Sequence, residues 1–163
     1  MLRSIARFSL LSILVLQLGC SGSGSTTSSG NSFRENLGST SLAQLQKSIE
    51  DIVLRKYQYQ YERDTYTSED TYVETRWRDD AALEDEKAAG YVFARTRIII
   101  TARPRNRTPG AMQTFSVTFR AECMVRTAAG DWMEAPMTAA RKAILKEVSN
   151  ELKTEMTSGI RVI

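Results

Sequence analysis

Apolar residues recur along this chain with two different periods, and each change of period marks an element. Leu42, Leu45, Ile49, Ile52 and Val53 lie at helical spacing and form one stripe through about Lys56. Ser41-Leu42-Ala43-Gln44 at the head of that stripe fits a capping box, in which the serine hydroxyl accepts from the N3 amide and the glutamine reaches back. Tyr57, Tyr59 and Tyr61 then alternate with Gln58, Gln60 and Glu62; period two with aromatic content predicts a strand, with the rings partly buried under a helix. Thr65 to Asp70 is polar and predicts a turn. Tyr72 to Arg78 alternates again, with Val73, Thr75 and Trp77 on one side. Asp79 to Gly90 is acidic and alanine-containing, and predicts a loop or a short helical excursion.

The next two runs carry the strongest alternation. In Tyr91 to Arg103, Val92, Ala94, Thr96, Ile98, Ile100 and Ala102 share one face, and Arg95, Arg97, Thr101 and Arg103 the other. Pro104 to Gly110 predicts a turn, because proline withholds ladder donors. In Thr114 to Arg126, Phe115, Val117, Phe119, Ala121, Cys123 and Val125 point one way and mostly polar residues the other, which predicts a strand buried on one face and wet on the other. A turn at Ala128 to Asp131 leads to Trp132-Met133, a candidate short return strand. From Pro136 or Thr138 to Ser158, Ile144, Leu145, Val148, Leu152 and Met156 predict an amphipathic helix, with Gly159 as its C′ residue. Short connections between alternating strands favour hairpins. The expected fold is α+β: a two-layer sandwich of about four antiparallel strands, with N- and C-terminal helices packed on one face in the order α-β-β-β-β-α.

Composition narrows the chemistry. The 163 residues include no His and two Cys. Without His there is no histidine-based triad, no imidazole zinc site and no histidine general base. Two Cys cannot form a four-thiolate site. No phosphate loop, nucleophile elbow or paired-carboxylate signature is present, so neither a catalytic residue nor a cofactor is nominated. Cys123, on an inward strand position, is expected to be a core residue. Glu84-Asp85-Glu86, near Asp79 and Asp80, lacks the spacing of a calcium loop and is expected to be a solvated acidic segment; no metal site is assigned.

Residues 1–19 have the layout of a secretory leader, with Arg3 and Arg7 ahead of the apolar run Phe8 to Leu18 and then Gly19. Leu16-Gln17-Leu18-Gly19-Cys20 resembles the bacterial lipobox. That resemblance implies cleavage before Cys20 and attachment of a diacylglycerol to it, with Gln17 departing from the preferred leucine. Ser21 to Asn31 (SGSGSTTSSGN) holds neither a charge nor a large apolar residue, and residues 20–38 are expected to form a flexible tether to one domain at 39–163. Ser21 after the cysteine resembles the sorting signal for the outer membrane, with the domain facing the periplasm. Losing residues 1–19 removes two of 22 bases and no acid, leaving 20 against 19, so charge gives no argument for nucleic acid.

The candidate partner-binding residues are arginines. Arg103, Arg105 and Arg107 cluster in ARPRNRTPG, and Arg76, Arg95 and Arg97 lie on the open sheet face, where Trp77 or Trp132 can serve as an anchor. The lipobox, the tether, the helix leading to a Tyr-rich segment (DIVLRKYQYQYERD), the YVETRW strand and the final helix together resemble the small α+β domains of outer-membrane assembly lipoproteins. The likeness is to the helix-grip domains of the BamC type and, less closely, to the LptE type. It implies a non-catalytic accessory subunit with an envelope protein partner. A second expectation is a carrier for an apolar or amphiphilic ligand, held between sheet and C-terminal helix by Phe115, Phe119, Val148 and Met156.

Overall fold

A computed structural model describes residues 30–105 and 113–158. The leader, Cys20 and the first part of the expected tether lie outside the described residues, as do Arg107, Pro109, Gly110 and Gly159. The elements are β1 (Ser32–Thr40), α1 (Leu42–Ser48) continued by a π-helical segment Ile49–Lys56, β2 (Tyr61–Tyr66), β3 (Thr71–Thr75), β4 (Arg78–Ala81), α2 (Glu84–Ala88), β5 (Phe93–Pro104), β6 (Phe115–Arg126) and α3 (Ala139–Ser158). Every strand pairing is antiparallel, in the order β1-β6-β5-β3-β2, with β4 also on β5. The fold is α+β as expected, but the sheet has six strands instead of about four.

The two added strands, β1 and β4, come from segments with little apolar signal. β1 begins inside the span expected to be a tether, so residues 32–38 belong to the domain. Phe33, Glu35 and Leu37 face inward from it, while Arg34, Asn36 and Gly38 are exposed. The inward Glu35 hides the alternation. A bulge falls between Asn36 and Gly38, where Gly38 takes φ +96°, a left-handed value that suits glycine. β4 (Arg78-Asp79-Asp80-Ala81) corrects the expected loop at Asp79; the second part of that segment does form a short helix, α2. Gly90 at φ +88° closes α2, with Tyr91 N donating to Glu86 O (3.1 Å) and Gly90 N to Lys87 O (2.9 Å), a Schellman ending.

The tyrosine strand is displaced. The helix runs to Lys56, Gln58 turns the chain at φ +57°, and β2 starts only at Tyr61 and runs to Tyr66, into the first residues of the expected turn, which Thr67 to Asp70 form with Thr67 N donating to Asp70 O at 3.0 Å. Most of β2 is exposed, so no apolar alternation marks it. Tyr59 is buried off the sheet, its hydroxyl 2.7 Å from Thr96 Oγ1. Ser41 does cap α1, its Oγ accepting from Gln44 N at 3.3 Å, but Gln44 reaches to Ser48 and to Glu155 O instead of back to the cap.

β5, β6 and α3 match the pattern most closely. The predicted inward residues of β5 from Ala94 to Ala102 and of β6 from Phe115 to Val125 are buried; Val92, just before β5, is exposed. Leu145, Val148, Leu152 and Met156 of α3 join them in one core, while Ile144 is half-buried. α3 packs on β1, α1 and the π-helical segment. Phe33 meets Phe119 edge to face with ring centroids 6.0 Å apart.

Two polar clamps lie within this packing. Glu35 of β1 accepts from Ser149 Oγ of α3 at 2.5 Å and pairs with Lys146. Arg141 of α3, 3% exposed, forms a bidentate pair with Glu86 of α2, 1% exposed: Nε to Oε1 at 2.9 Å and Nη2 to Oε2 at 2.7 Å. Leu83 N donates to the same Oε2 at 2.8 Å. Burial works against the Arg141 charge, but the Glu86 hydrogen bonds and charge outweigh it and hold the guanidinium pKa above its ordinary value. The expected solvated acidic segment is thus corrected at Glu86, which is a core residue.

The placement of β1 is testable. Phe33→Ala is expected to lower stability in chemical denaturation by about 3–5 kcal/mol and Leu37→Ala by about 2–5 kcal/mol. Tether residues at those positions would leave the midpoint unchanged.

Candidate functional site

The register of β5 on β6 fixes what the outward face can do. Phe93 lies opposite Arg126, Arg95 opposite Met124, Arg97 opposite Glu122 and Ile99 opposite Arg120. Two loop segments bring tryptophans to these rows. Backbone hydrogen bonds between Val125 and Met133, 2.9 Å in each direction, carry Trp132 alongside β6. The pairing of β3 ends at Thr75, Arg76 N donates to Gln60 O (2.8 Å), and Trp77 leaves the alternation expected of it to stack on Arg95 and Arg97.

Rings and guanidinium groups then alternate across the face. Arg126 lies 4.7 Å from the Phe93 centroid and 5.0 Å from Trp132. Arg95 lies 4.5 Å from Trp132 and 4.8 Å from Trp77, and Arg97 lies 4.8 Å from Trp77. Each such contact contributes about 0.5–1 kcal/mol when exposed and about 2 kcal/mol when desolvated. Contact with the rings on either side restricts the arginine side chains, which lowers the rotamer entropy they would lose on binding.

Charge is distributed unevenly along it. Arg97 is neutralised by Glu74 (2.6 Å) and Glu122 (2.7 Å), and Glu122 also meets Arg120 at 3.0 Å. Arg126 has no ion pair among the described residues, and Arg95 none within 4.0 Å, although Asp79 of β4 stands directly across from it; Arg95 Nη2 contacts Met124 Sδ at 3.1 Å, and its buried Nε has no hydrogen-bond partner. Phe93, against which Arg126 lies, is 39% exposed; Val92 (41%) and Met133 (46%) are also open to solvent, but strand alternation and the pairing of Met133 with the inward Val125 assign them to the other face of the sheet. Arginine, aromatic rings and methionine are the residue types enriched in protein interfaces.

The six arginines nominated from sequence do not converge. Arg95 and Arg97 share Trp77. Arg76 pairs with Glu62 (3.1 Å) at the β2 edge, with both side chains exposed. Arg103 is exposed at the end of β5, and Arg105 donates to Ser39 Oγ at 3.0 Å near the hairpin base. Arg107 lies outside the described residues. Sequence reasoning missed Phe93 and Arg126 as ladder members; their cross-strand pairing was available only once the hairpin register was known.

The remaining candidates are structural in their setting. Cys123 is buried, and burial pushes its thiol up to about 11. Phe115, Phe119, Val148 and Met156, the expected carrier lining, are each no more than 1% exposed and pack as core. No group of three or more His, Cys, Asp or Glu is placed to hold a metal ion among the described residues. No helix among them is long and apolar enough to cross a membrane. Compared with known protein families and with curated proteins, the chain matches no family model and no curated protein.

Arg95→Ala removes two stacks at once and is expected to cost about 1–2 kcal/mol in denaturant unfolding. The pH profile has a definite sign at its alkaline end. Burial raises the pKa of Cys123 and of Tyr59 above their ordinary values. Their folded pKa values thus exceed the unfolded ones, so the unfolded chain releases protons that the folded chain keeps. Stability is expected to be full below about pH 8.5 and to fall as pH rises toward 11, as read by thermal melts across that window.

Proposed function

We propose that this chain is a lipid-anchored lipoprotein of the bacterial outer membrane that acts, without catalysis, as a binding or envelope-assembly accessory module facing the periplasm. It presents the outward face of its sheet to an envelope protein. The anchor would be a diacylglycerol on Cys20, following the lipobox resemblance. The helices would form one layer and the sheet the other, with the described core between them and the arginine–aromatic face turned to solvent.

The observation that carries this reading is the ladder's open end. Arg126 lies against Trp132 and the exposed Phe93 with no ion pair among the described residues, and Arg95 lies beside it against Trp132 and Trp77. A partner surface with a carboxylate among apolar groups would complete both halves of that arrangement.

Two measurements test the proposal. Mass spectrometry of the mature N-terminus from native membranes is expected to find an acylated Cys20; an unmodified terminus elsewhere contradicts the anchor. Crosslinking in intact envelopes followed by capture is expected to recover one protein in stoichiometric amount with the wild type, and to lose it with Trp132→Ala combined with Arg126→Ala. Equal recovery with both, or no stoichiometric protein, contradicts the docking face.

A further inference from the structure

A second arrangement on the same face lies away from the ladder and follows a different logic. Arg34 of β1 stands directly across from Arg120 of β6 in the antiparallel register. Both side chains are exposed, and like charges directly opposite one another destabilise a sheet. Arg120 has one relief, Glu122 at 3.0 Å, a carboxylate it shares with Arg97. Arg34 has no ion pair among the described residues.

The neighbouring rows continue the pattern. Thr118 lies opposite Thr101, and Ser116 opposite Arg103. None of these three hydroxyls has a hydrogen-bond partner among the described residues, and Arg103 has no ion pair there. Thr101 and Thr118 border a depression of about 230 Å³ together with Arg34, Tyr72, Ile99 and Arg120. It adjoins a larger one of about 400 Å³ that takes in Arg103, Ser116 and Asp70.

We propose that this trough binds a soluble phosphate monoester on a small, hydroxyl-bearing carrier of sugar-phosphate size. The phosphate sits between Arg34 and Arg120, whose planar forks match its oxygens and whose mutual repulsion it relieves. The hydroxyls of Thr101, Thr118 and Ser116 exchange hydrogen bonds with those of the carrier. Asp70 borders the second depression and not the one between Arg34 and Arg120, so its carboxylate accepts from a carrier hydroxyl and disfavours a second anion. Nothing in this inference depends on the docking face proposed above.

Titration calorimetry of the full-length protein with glucose 6-phosphate tests it, with glucose as the uncharged control. Glucose 6-phosphate is expected to bind and glucose not to. Arg34→Gln and Arg120→Gln are each expected to weaken binding by about tenfold or more, whereas Arg95→Gln on the ladder leaves it unchanged. Without ligand, Arg34→Gln is expected to unfold at a temperature no lower than the wild type, because it removes the opposed charge. Glycerophosphoglycerol, a phosphodiester headgroup without acyl chains, separates the possible sources. Preference for glucose 6-phosphate supports the soluble monoester, and preference for the diester overturns it in favour of a lipid headgroup. Equal binding by the wild type and both arginine variants, or no binding of either ester at millimolar concentration, overturns the site altogether.

Discussion

Arg141 carries a full charge into the protein core, and the position of α3 follows from the carboxylate that must meet it. An isolated buried guanidinium would cost several kcal/mol. Glu86 meets it bidentately, Leu83 N supplies a further donor to Glu86, and Asp80 of β4 accepts from Arg141 Nη1 at 3.2 Å. Asp80 in turn holds Arg78, which donates to Tyr57 O and lies 4.4 Å from the Tyr59 ring centroid. One chain of polar contacts thereby ties α3, α2, β4 and the end of the first helix together. Apolar burial supplies most of the stabilisation, but it is non-directional; the buried pair specifies which helix turn lies over which part of the sheet.

The use of the sheet follows from that placement. With one side of β5 and β6 committed to the core, their alternate residues face outward, and the register decides which of them meet. At one end aromatic rings separate the arginines and hold them rigid. At the other, Arg34 and Arg120 oppose each other with no ring between them. The same strands thus carry a stacked region, with the exposed Phe93 in it, and an open basic trough.

The sequence was most legible where burial and period coincide. β5, β6 and α3 alternate or repeat without interruption, because their inward residues are almost all apolar. β1 was hidden by Glu35, an inward acid satisfied by Ser149 and Lys146, whose distance in the chain no local pattern reveals. β4 was hidden because a strand paired mainly through its backbone can carry two aspartates. Tyr57 to Tyr61 showed a strand period, but the helix extended to Lys56 and a left-handed Gln58 redirected the chain. At the candidate site, Arg95 and Arg97 were visible as outward residues of one strand. Phe93, Arg126 and the stacking roles of Trp77 and Trp132 depend on cross-strand register and on two loop paths. Arg141 looked like any charged residue of an amphipathic helix, since a buried partner 55 positions away leaves no local trace.

The claim that a buried ion pair sets the position of α3 is tested most directly by a double-mutant cycle on Arg141→Met and Glu86→Leu, read by denaturant unfolding. Arg141→Met leaves Glu86 buried without its cation, and Glu86→Leu leaves Arg141 with only the half-buried Asp80; each is expected to cost about 3–5 kcal/mol, while the double variant recovers much of that loss. Single losses under about 1 kcal/mol that simply add in the double variant would contradict it.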